Sequence, residues 1–196
     1  MTNEDLWGSD TGVFVGQWAN DYQEILSRDT NFQATYQTTG SGPAIFSNRI
    51  SYYFNLKGPS FTVDTSCSSS MVALYQAVQC LRSGESSQCL VGGVNVLLDP
   101  QRFTYMSKLK MFSNEGRSFP FDDRANGYGR GEGCTGIVLQ RLSTALKERR
   151  PIRAIIRNSA VNQDGRTFGI SVPSGPAQTA AIRQAYSQVG LDLDAV

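Results

Sequence analysis

The succession of a strand, a helix and a second strand between residues 59 and 98 constrains the fold more than any other feature. Residues 59–63 have the composition of a short buried strand, and residues 89–98 form a nearly continuous apolar run. Between them, apolar residues recur at the spacing of one helix face, namely Met71, Leu74, Tyr75, Val78 and Leu81. Strands with continuous rather than alternating apolar residues, joined by a helix, predict parallel pairing inside an α/β layer.

Cys67 lies on the turn between the first of these strands and the helix. A thiol at a helix N-terminus faces unpaired backbone N–H groups and the positive end of the helix dipole, and both favour the nucleophilic thiolate. The neighbouring serines, Ser66 and Ser68–Ser70, are small and leave room for a substrate, while backbone N–H groups are available to hold an oxyanion. Cys67 is therefore the candidate nucleophile. The competing interpretation is a packing residue, because cysteine is among the most buried residue types.

Length and composition fit one ordinary domain and exclude several classes of protein. A chain of 196 residues with 40% hydrophobic content supplies a core, so it is neither disordered nor fibrous. Eighteen basic and seventeen acidic residues leave a net charge of +1 without a basic run, so no nucleic-acid partner is expected. No apolar run approaches the ~20 residues of a membrane span, and residues 1–5 do not begin a signal peptide. We therefore expect a cytoplasmic chain without a membrane span.

The cysteines and the missing histidine bear on redox state and catalysis. Cys67, Cys80, Cys89 and Cys134 are too widely spaced for a CxxC motif and too few to staple a chain of this length, so we expect reduced thiols, three of them structural. Histidine is the usual base beside a cysteine nucleophile, and this chain has none. Either Cys67 acts without histidine, or the histidines lie on sequence outside this chain.

Periodicity and turn residues predict the remaining elements. Strands are expected at residues 11–16, 137–139 and 152–161, and helices at 20–26, 43–57, 143–146 and 175–190. Residues 29–42 are polar and are expected to form an extended loop. Ser143 is expected to cap its helix, and Gly84 to end the central helix in a left-handed conformation. Gly92 and Gly93 weaken their strand, which indicates a bulge or a close backbone approach.

Three further features have both a functional and a structural interpretation. Residues 99–123 show no periodicity but are rich in aromatic residues and methionine, which fits either core or the lining of a pocket. Residues 127–133 are rich in glycine, but Glu132 replaces the third glycine of GxGxxG and the P-loop lysine is missing, so nucleotide binding is excluded. We expect Glu132 to hydrogen-bond to backbone, and Arg49 to form a structural pair or to be solvated rather than to bind phosphate.

The string Asp64-Thr65-Ser66-Cys67-Ser68-Ser69-Ser70, with Gly58-Pro59 ahead of it, resembles the active-site motif of β-ketoacyl synthases, the condensing domains of polyketide and fatty acid synthases. Ser66 departs from the commoner alanine. Other matching strings are Asn48-Arg49-Ile50-Ser51, residues 122–128, Gly131-Glu132-Gly133, residues 162–165 and Ser174-Gly175-Pro176. The resemblance covers residues 6–196 and is closest to type I polyketide synthases of fungal style.

The resemblance implies a thiolase-like α/β fold of αβαβα layers. Residues 1–196 would be one partial β-ketoacyl synthase domain, comprising the N-terminal half and the start of the C-terminal half, with both flanks missing. It implies that Cys67 is the catalytic nucleophile, and that residues 99–123 line the acyl pocket and approach a dimer interface. The two histidines and the lysine of the family have no counterpart in this chain.

The implied reaction is acyl transfer to Cys67 followed by decarboxylative Claisen condensation with a malonyl carrier thioester. The implied partners are an acyl carrier protein, which presents both substrates on phosphopantetheine, an acyltransferase domain of the same parent chain, and a second copy in a homodimer. No directly bound cofactor and no metal are expected. The segment alone is expected to be inactive and to fold poorly, because missing strands leave sheet edges unpaired. A non-elongating domain that binds acyl carrier protein and a cysteine-dependent thioester hydrolase remain alternatives.

Overall fold

One mixed β-sheet organises the chain, whose computed structural model describes residues 3–192. Within this range four strands pair in the order β2–β1–β3–β4, with β1 at Gly12–Gly16, β2 at Ser60–Val63, β3 at Gln88–Asn95 and β4 at Gly133–Gln140. Strand β1 pairs in parallel with both β2 and β3, whereas β4 is antiparallel to β3. The predicted parallel arrangement of the strands on either side of the central helix is confirmed, with β1 lying between them.

Eight helices accompany the sheet within the described residues. They are α1 (Asn3–Leu6), α2 (Asp21–Leu26), α3 (Gln37–Ser41), α4 (Ile45–Tyr53), α5 (Ser69–Ser83), α6 (Pro100–Lys108), α7 (Leu142–Lys147) and α8 (Gly175–Ser187). Over residues 3–192, none of these helices combines the length and apolar character needed to cross a bilayer.

The sheet lies between α4 and α5, and β1 is buried along its whole length. Its side chains alternate between the two faces: Phe14 packs against α5, while Val13 and Val15 pack on the opposite side with Phe46 and Ile50 of α4. Complete burial of a side chain such as Phe14 stabilises the fold by roughly 2–3 kcal/mol. The layers α4, sheet and α5 therefore share one central strand.

Helix α5 buries part of the predicted face, because Val78 and Leu81 are buried and Leu74 packs against the core, but it also buries small residues that were not predicted. The core cluster that α5 shares with the sheet contains the small residues Ala73 and Ala77, both completely buried, and Cys80, in addition to Leu81. Met71, expected on the buried face, is 64% exposed. Small side chains let the helix backbone approach the strands closely. The prediction considered only large apolar residues at helical spacing and therefore omitted the alanines. The helix ends at Gly84 with φ of 84°, the predicted left-handed cap.

Two short helices were missed in stretches expected to lack regular structure. Helix α6 begins where the Asp99 side chain accepts a hydrogen bond from Gln101 N at 3.0 Å, and Pro100 occupies its first turn. An Asp-Pro pair is a recognised helix start, so the sequence carried the signal. Helix α3 lies inside the expected loop at residues 29–42, and Thr39 O accepts a hydrogen bond from Arg49 Nη2 at 2.8 Å. Arg49 is therefore structural, as expected.

The prediction of a strand at residues 152–161 is wrong. This segment pairs with no strand among the described residues, and Ile152, Ile155 and Val161 are all more than 40% exposed. Its apolar residues resemble a strand, but strand structure requires a neighbour with free backbone groups, which sequence composition does not provide. Arg82 Nη1 donates to Asn158 Oδ1 at 3.0 Å and ties the segment to α5.

Two smaller predictions also need correction. Strand β2, expected to be buried, lies at an edge of the sheet, and Phe61 is 41% exposed. Helix α7 begins at Leu142, with Arg141 at the cap position, so Ser143 lies inside the helix. The predicted helices near residues 20–26, 43–57 and 175–190 are present: α2 has the predicted bounds, α4 is shorter at both ends, and α8 begins at Gly175 as predicted but ends earlier.

Candidate active site around Cys67

The turn that carries Cys67 is held together by its own side chains. Asp64 Oδ1 accepts a hydrogen bond from Ser66 N at 3.0 Å. Ser69 Oγ donates to Ser66 O at 2.6 Å and accepts from Thr65 N at 2.9 Å. Asp, Thr and Ser side chains of this kind satisfy backbone groups that no strand or helix uses. The polar motif thus fixes the turn between β2 and α5.

Ser66 adopts a left-handed conformation, with φ of 59°. For a residue other than glycine this conformation costs about 1–3 kcal/mol, and it persists only where surrounding interactions hold it. Here the hydrogen bonds to Ser66 N and Ser66 O hold it. The Cys67 side chain that follows is exposed, and its Sγ lies 3.8 Å from Ser66 Oγ. The strained turn therefore presents the sulfur rather than burying it.

Cys67 precedes the 15-residue helix α5 by two positions, with Ser68 as the residue between. The positive end of a helix dipole acts on groups within about one turn of the N-terminus. The structure thus places the sulfur where the sequence predicted it. That Cys67 is a reactive thiolate stays a prediction.

A cleft of about 360 Å³ opens beside Cys67. It lies at the carboxyl ends of the parallel strands β1 and β3, the edge at which open α/β sheets usually bind ligands. We call it the Cys67 cleft, and its lining residues come from four segments: 16–18, 66–70, 93–95 and 128–135.

Two glycines let the start of α5 approach the strands that frame the cleft. A Cβ placed on Gly16 would lie 2.3 Å from Ser70 N, and one placed on Gly93 would lie 3.0 Å from Ser70 Cβ. The close approach predicted at Gly93 is confirmed. At Gly92 the nearest atom to such a Cβ is Val15 Cγ2 at 3.5 Å, which is an ordinary contact.

The glycine-rich loop at residues 127–133 forms one wall of the Cys67 cleft. Glu132 Oε1 accepts a hydrogen bond from Leu97 N at 2.7 Å, and Asn95 Nδ2 donates to Gly131 O at 2.5 Å. Tyr128 exchanges backbone hydrogen bonds with residues 111 and 113, and its ring meets Phe112 edge-on at 5.3 Å. The expected hydrogen bond of Glu132 to backbone is confirmed, although its partner is Leu97 rather than a glycine.

Residues 99–123 contribute no lining to the Cys67 cleft among the described residues. Met106 is buried at 6% exposure, whereas Leu109 is 67% exposed. The segment therefore divides between core and surface. Its role as acyl pocket or dimer contact stays a prediction.

Four residues that line the cleft were not predicted as site residues from the sequence: Gln17, Trp18, Asn95 and Arg130. Trp18 follows β1, and Asn95 is the last residue of β3. Ligands of open α/β sheets usually bind at the carboxyl ends of the parallel strands, so this position in the sequence could have identified both residues. Arg130 was considered only as part of a nucleotide loop. Its Cζ lies 5.6 Å from the centre of the Trp18 ring and 5.8 Å from that of Phe103.

The other cysteines lie outside the Cys67 cleft. Cys80 and Cys89 are buried, and burial raises the pKa of the Cys89 thiol to about 12, an effect that the neighbouring Cys80 reinforces. They behave as structural residues, as expected. Cys134 is instead exposed on β4, contrary to the expected structural role. Over residues 3–192, no group of three or more side chains is arranged to hold a metal ion.

Comparison with known proteins decides the family. The family model described as beta-ketoacyl synthase, N-terminal domain, matches residues 1–145, and the one described as beta-ketoacyl synthase, C-terminal domain, matches residues 153–196. The chain belongs to the beta-ketoacyl synthase family. The resemblance carried by the motif around Cys67 is thereby confirmed.

Among curated relatives, this ketosynthase chain is 69% identical over 195 residues to a highly reducing polyketide synthase of Cordyceps militaris, with all of this chain and 8% of the relative covered. It is 67% identical over 193 residues to a highly reducing polyketide synthase of Emericella nidulans, and this match covers 98% of this chain and 8% of the relative. The expected likeness to fungal type I polyketide synthases is confirmed. The chain spans about a twelfth of the length of these relatives.

Solved ketosynthases share the fold. The ketosynthase from module 6 of the bacillaene synthase from Bacillus subtilis 168 matches with a TM-score of 0.88 and 37% identity over 97% of this chain and 32% of its own. An oxazolomycin ketosynthase domain from Streptomyces albus JA3453 matches with a TM-score of 0.88 and 35% identity over 97% of this chain and 33% of its own. The thiolase-like α/β fold is therefore confirmed, and the chain is ketosynthase sequence of the polyketide synthase type.

Proposed function

We propose that Cys67 is the acyl-carrying nucleophile of a chain-elongating ketosynthase. The observation that carries this proposal is the position of the sulfur: it is exposed on a strained turn ahead of α5 and lines a cleft at the carboxyl ends of the parallel strands. Nucleophiles on strand-to-helix turns meet their substrates at the sheet edge in this way. Family membership supports the proposed class of reaction, and this geometry supports Cys67 as the residue that carries the acyl group.

The first half-reaction is thioester exchange. The Cys67 thiolate attacks the carbonyl carbon of an acyl group on a carrier-protein phosphopantetheine, a new C–S bond forms, and the phosphopantetheine thiolate leaves. Backbone N–H groups at the start of α5 are suited to stabilise the oxyanion of the tetrahedral intermediate. Because one thioester replaces another, the exchange is nearly isoenergetic, and the acyl carbonyl stays electrophilic for the next step.

The second half-reaction forms the carbon–carbon bond. A malonyl carrier thioester loses carbon dioxide, the resulting enolate carbon attacks the acyl carbonyl on Cys67, and the Cys67 thiolate leaves. The chain grows by two carbons. The sequence has no histidine, so we infer that the histidines and lysine of the family, which promote decarboxylation and stabilise the enolate, come from the remainder of the parent protein.

The parent protein provides the rest of the proposed context. Residues 1–196 would form part of one ketosynthase domain in a cytoplasmic multidomain enzyme, with an acyltransferase domain, an acyl carrier protein and a second copy of the domain as partners. Phosphopantetheine would act as the tether of both substrates, not as a cofactor bound by this chain. The segment alone would not condense substrates and would fold poorly, because β2 and β4 are sheet edges and large apolar residues such as Phe168 and Ile170 are exposed.

Intact-protein mass spectrometry of the parent enzyme tests the proposal. The parent, its Cys67→Ala variant and its Cys134→Ala variant are incubated with an acyl thioester; Cys134 is the matched control because it is the other exposed cysteine. We expect a stable acyl adduct at Cys67 in the parent and in Cys134→Ala, and no adduct at this position in Cys67→Ala. Rapid release of free acid would instead support a hydrolase. No adduct on any form would support a domain that only binds acyl carrier protein.

A further inference from the structure

Trp18, which lines the Cys67 cleft, contacts two arginines. The Cζ atom of Arg102 lies 5.1 Å from the centre of the indole ring, and that of Arg130 lies 5.6 Å from it. Arg130 also contacts the ring of Phe103 at 5.8 Å. Only Arg130 of the two arginines lines the cleft together with Cys67. The aromatic rings thus hold one guanidinium group at the wall of the candidate active site.

The two arginines differ in how their charge is balanced. Arg102 donates to Asp21 Oδ1 at 2.7 Å and also pairs with Glu24. Burial acts to lower the pKa of Arg102, but these two carboxylates outweigh it and raise the pKa, so Arg102 is a neutralised cation. For Arg130, by contrast, the described part of the chain provides Nη2 with no hydrogen-bond partner, although this nitrogen is shielded from solvent.

A shielded cationic donor without an acceptor is unfavourable. Leaving such a nitrogen unpaired costs more than leaving a neutral one, and most buried polar atoms in proteins are therefore hydrogen-bonded. The aromatic faces of Trp18 and Phe103 attract the positive charge, but they do not replace an oxygen acceptor in the plane of the guanidinium. The unmet bond indicates that an acceptor arrives from elsewhere.

The protein groups in the Cys67 cleft do not supply that acceptor. Glu132 is the other charged residue of the lining, and its Oε1 accepts from Leu97 N at 2.7 Å. Asn95 Nδ2 donates to Gly131 O. Among the lining residues that the structure describes, Arg130 is the only cation.

We propose that Arg130 recognises an anionic oxygen of the thioester substrate in the Cys67 cleft. This inference rests on the proposed function, which brings two such oxygens to the cleft: the carboxylate of the malonyl group and the phosphate of the phosphopantetheine arm. Both suit the planar fork of a guanidinium, and a charge-assisted hydrogen bond is roughly twice as strong as a neutral one. The rings of Trp18 and Phe103 hold the Arg130 guanidinium in place. Arg102, which also contacts the Trp18 ring, orients that ring.

Three thioester probes separate the sources of the anion in the complete polyketide synthase that carries this chain. An acyl N-acetylcysteamine thioester has neither anion, an acyl phosphopantetheine has the phosphate, and a malonyl N-acetylcysteamine thioester has the carboxylate. Acylation of Cys67 is measured with the first two, and condensation on enzyme already acylated is measured with the third. The variants are Arg130→Gln, Arg130→Lys and the control Arg183→Gln, which alters an exposed arginine on α8.

We expect Arg130→Gln to raise KM by about 10-fold or more for one of the two anionic probes. A change with acyl phosphopantetheine identifies the phosphate, and a change with the malonyl probe identifies the carboxylate. Acylation by the neutral probe should stay within about two-fold of wild type, and Arg130→Lys should recover part of the loss, because it keeps the charge without the fork. Arg183→Gln should resemble wild type throughout.

Equal kinetics for Arg130→Gln and Arg183→Gln with every probe would overturn the proposal. So would an equal loss with all three probes, since that indicates a structural role. If Arg130→Gln does not fold, the test uses the wild-type enzyme and measures how well each compound protects Cys67 from alkylation. Phosphopantetheine or malonate should protect Cys67 at concentrations at which uncharged pantetheine does not. Equal protection by the charged and uncharged compounds would overturn the proposal. Failure of the neutral probe to acylate wild-type Cys67 would instead contradict the proposed function, and is thus a separate result.

Discussion

Gly16 at the end of β1 lies directly against the backbone of Ser70 in the first turn of α5, so close that a Cβ on Gly16 would stand 2.3 Å from Ser70 N. This contact fixes the distance between β1, whose end lines the Cys67 cleft, and α5, the helix that follows Cys67. The neighbouring atoms are backbone and cannot turn away as a flexible side chain does. The geometry of the candidate site therefore depends on a residue without a side chain.

Gly16→Ala should destabilise the ketosynthase domain and reduce acylation of Cys67. Overpacking of this kind costs about 1–3 kcal/mol or more, because α5 must move to make room. The matched control is Gly40→Ala in α3, where an added Cβ meets no atom within 4 Å. Chemical denaturation and the rate of acylation check the prediction. Equal stability of the two variants would contradict it.

Asp21→Asn should destabilise the link between α2 and α6. Asp21 is buried, accepts hydrogen bonds from Leu98 N and Asp99 N at 3.0 Å each, and pairs with Arg102. Removing one charge of a buried pair typically costs about 3–5 kcal/mol, because the remaining charge loses its partner. The control is Asp29→Asn, which alters an exposed carboxylate, and both are compared by urea denaturation. Similar midpoints for both variants would count against the role assigned to Asp21.

Acid should weaken the attachment of α6 through Asp99. A hydrogen bond from Arg28 holds the pKa of the Asp99 carboxyl below its usual value. A lowered folded-state pKa stabilises the fold above the unfolded value of ~3.9, and this contribution is lost as pH falls through the folded-state pKa. Unfolding followed from pH 6 downward should therefore show a smaller acid-dependent loss in Arg28→Ala than in wild type. An identical pH dependence would refute this assignment.

Thiol reagents should distinguish two pairs of cysteines. In the native protein Cys67 and Cys134, which are exposed, should be alkylated, while Cys80 and Cys89 should react only after unfolding. Because burial raises the pKa of Cys89 to about 12, its contribution to stability is complete below the usual thiol value of ~9 and is lost as pH rises toward 12. Peptide mapping after a brief iodoacetamide treatment checks the pattern; early modification of Cys89 would show that α5 does not cover it.

Sequence reasoning located the Cys67 turn because the signal there is local. The serine-rich string specifies its own hydrogen bonds, and the apolar runs on either side specify a strand and a helix. Parallel pairing also followed from composition, since continuous apolar strands need cover on both faces. The resemblance supplied the thiolase-like fold, which no local pattern contains.

The remaining parts depend on contacts between segments distant in sequence. Residues 152–161 have strand composition, yet no neighbouring strand among the described residues completes their hydrogen bonds. The role proposed for Arg130 depends on its contact with Trp18, which lies 112 positions earlier in the chain and could not be predicted from local sequence. The Asp99–Pro100 helix start is different: it was present in the sequence and was overlooked.

Carbon–carbon bond formation by the complete parent enzyme tests the central claim most directly. Product is measured after supply of an acyl thioester and malonyl substrate to wild type, Cys67→Ala and Cys134→Ala. The account predicts that Cys67→Ala forms no ketoacyl product, whereas Cys134→Ala matches wild type. Ketoacyl product from Cys67→Ala at the wild-type rate would contradict the account.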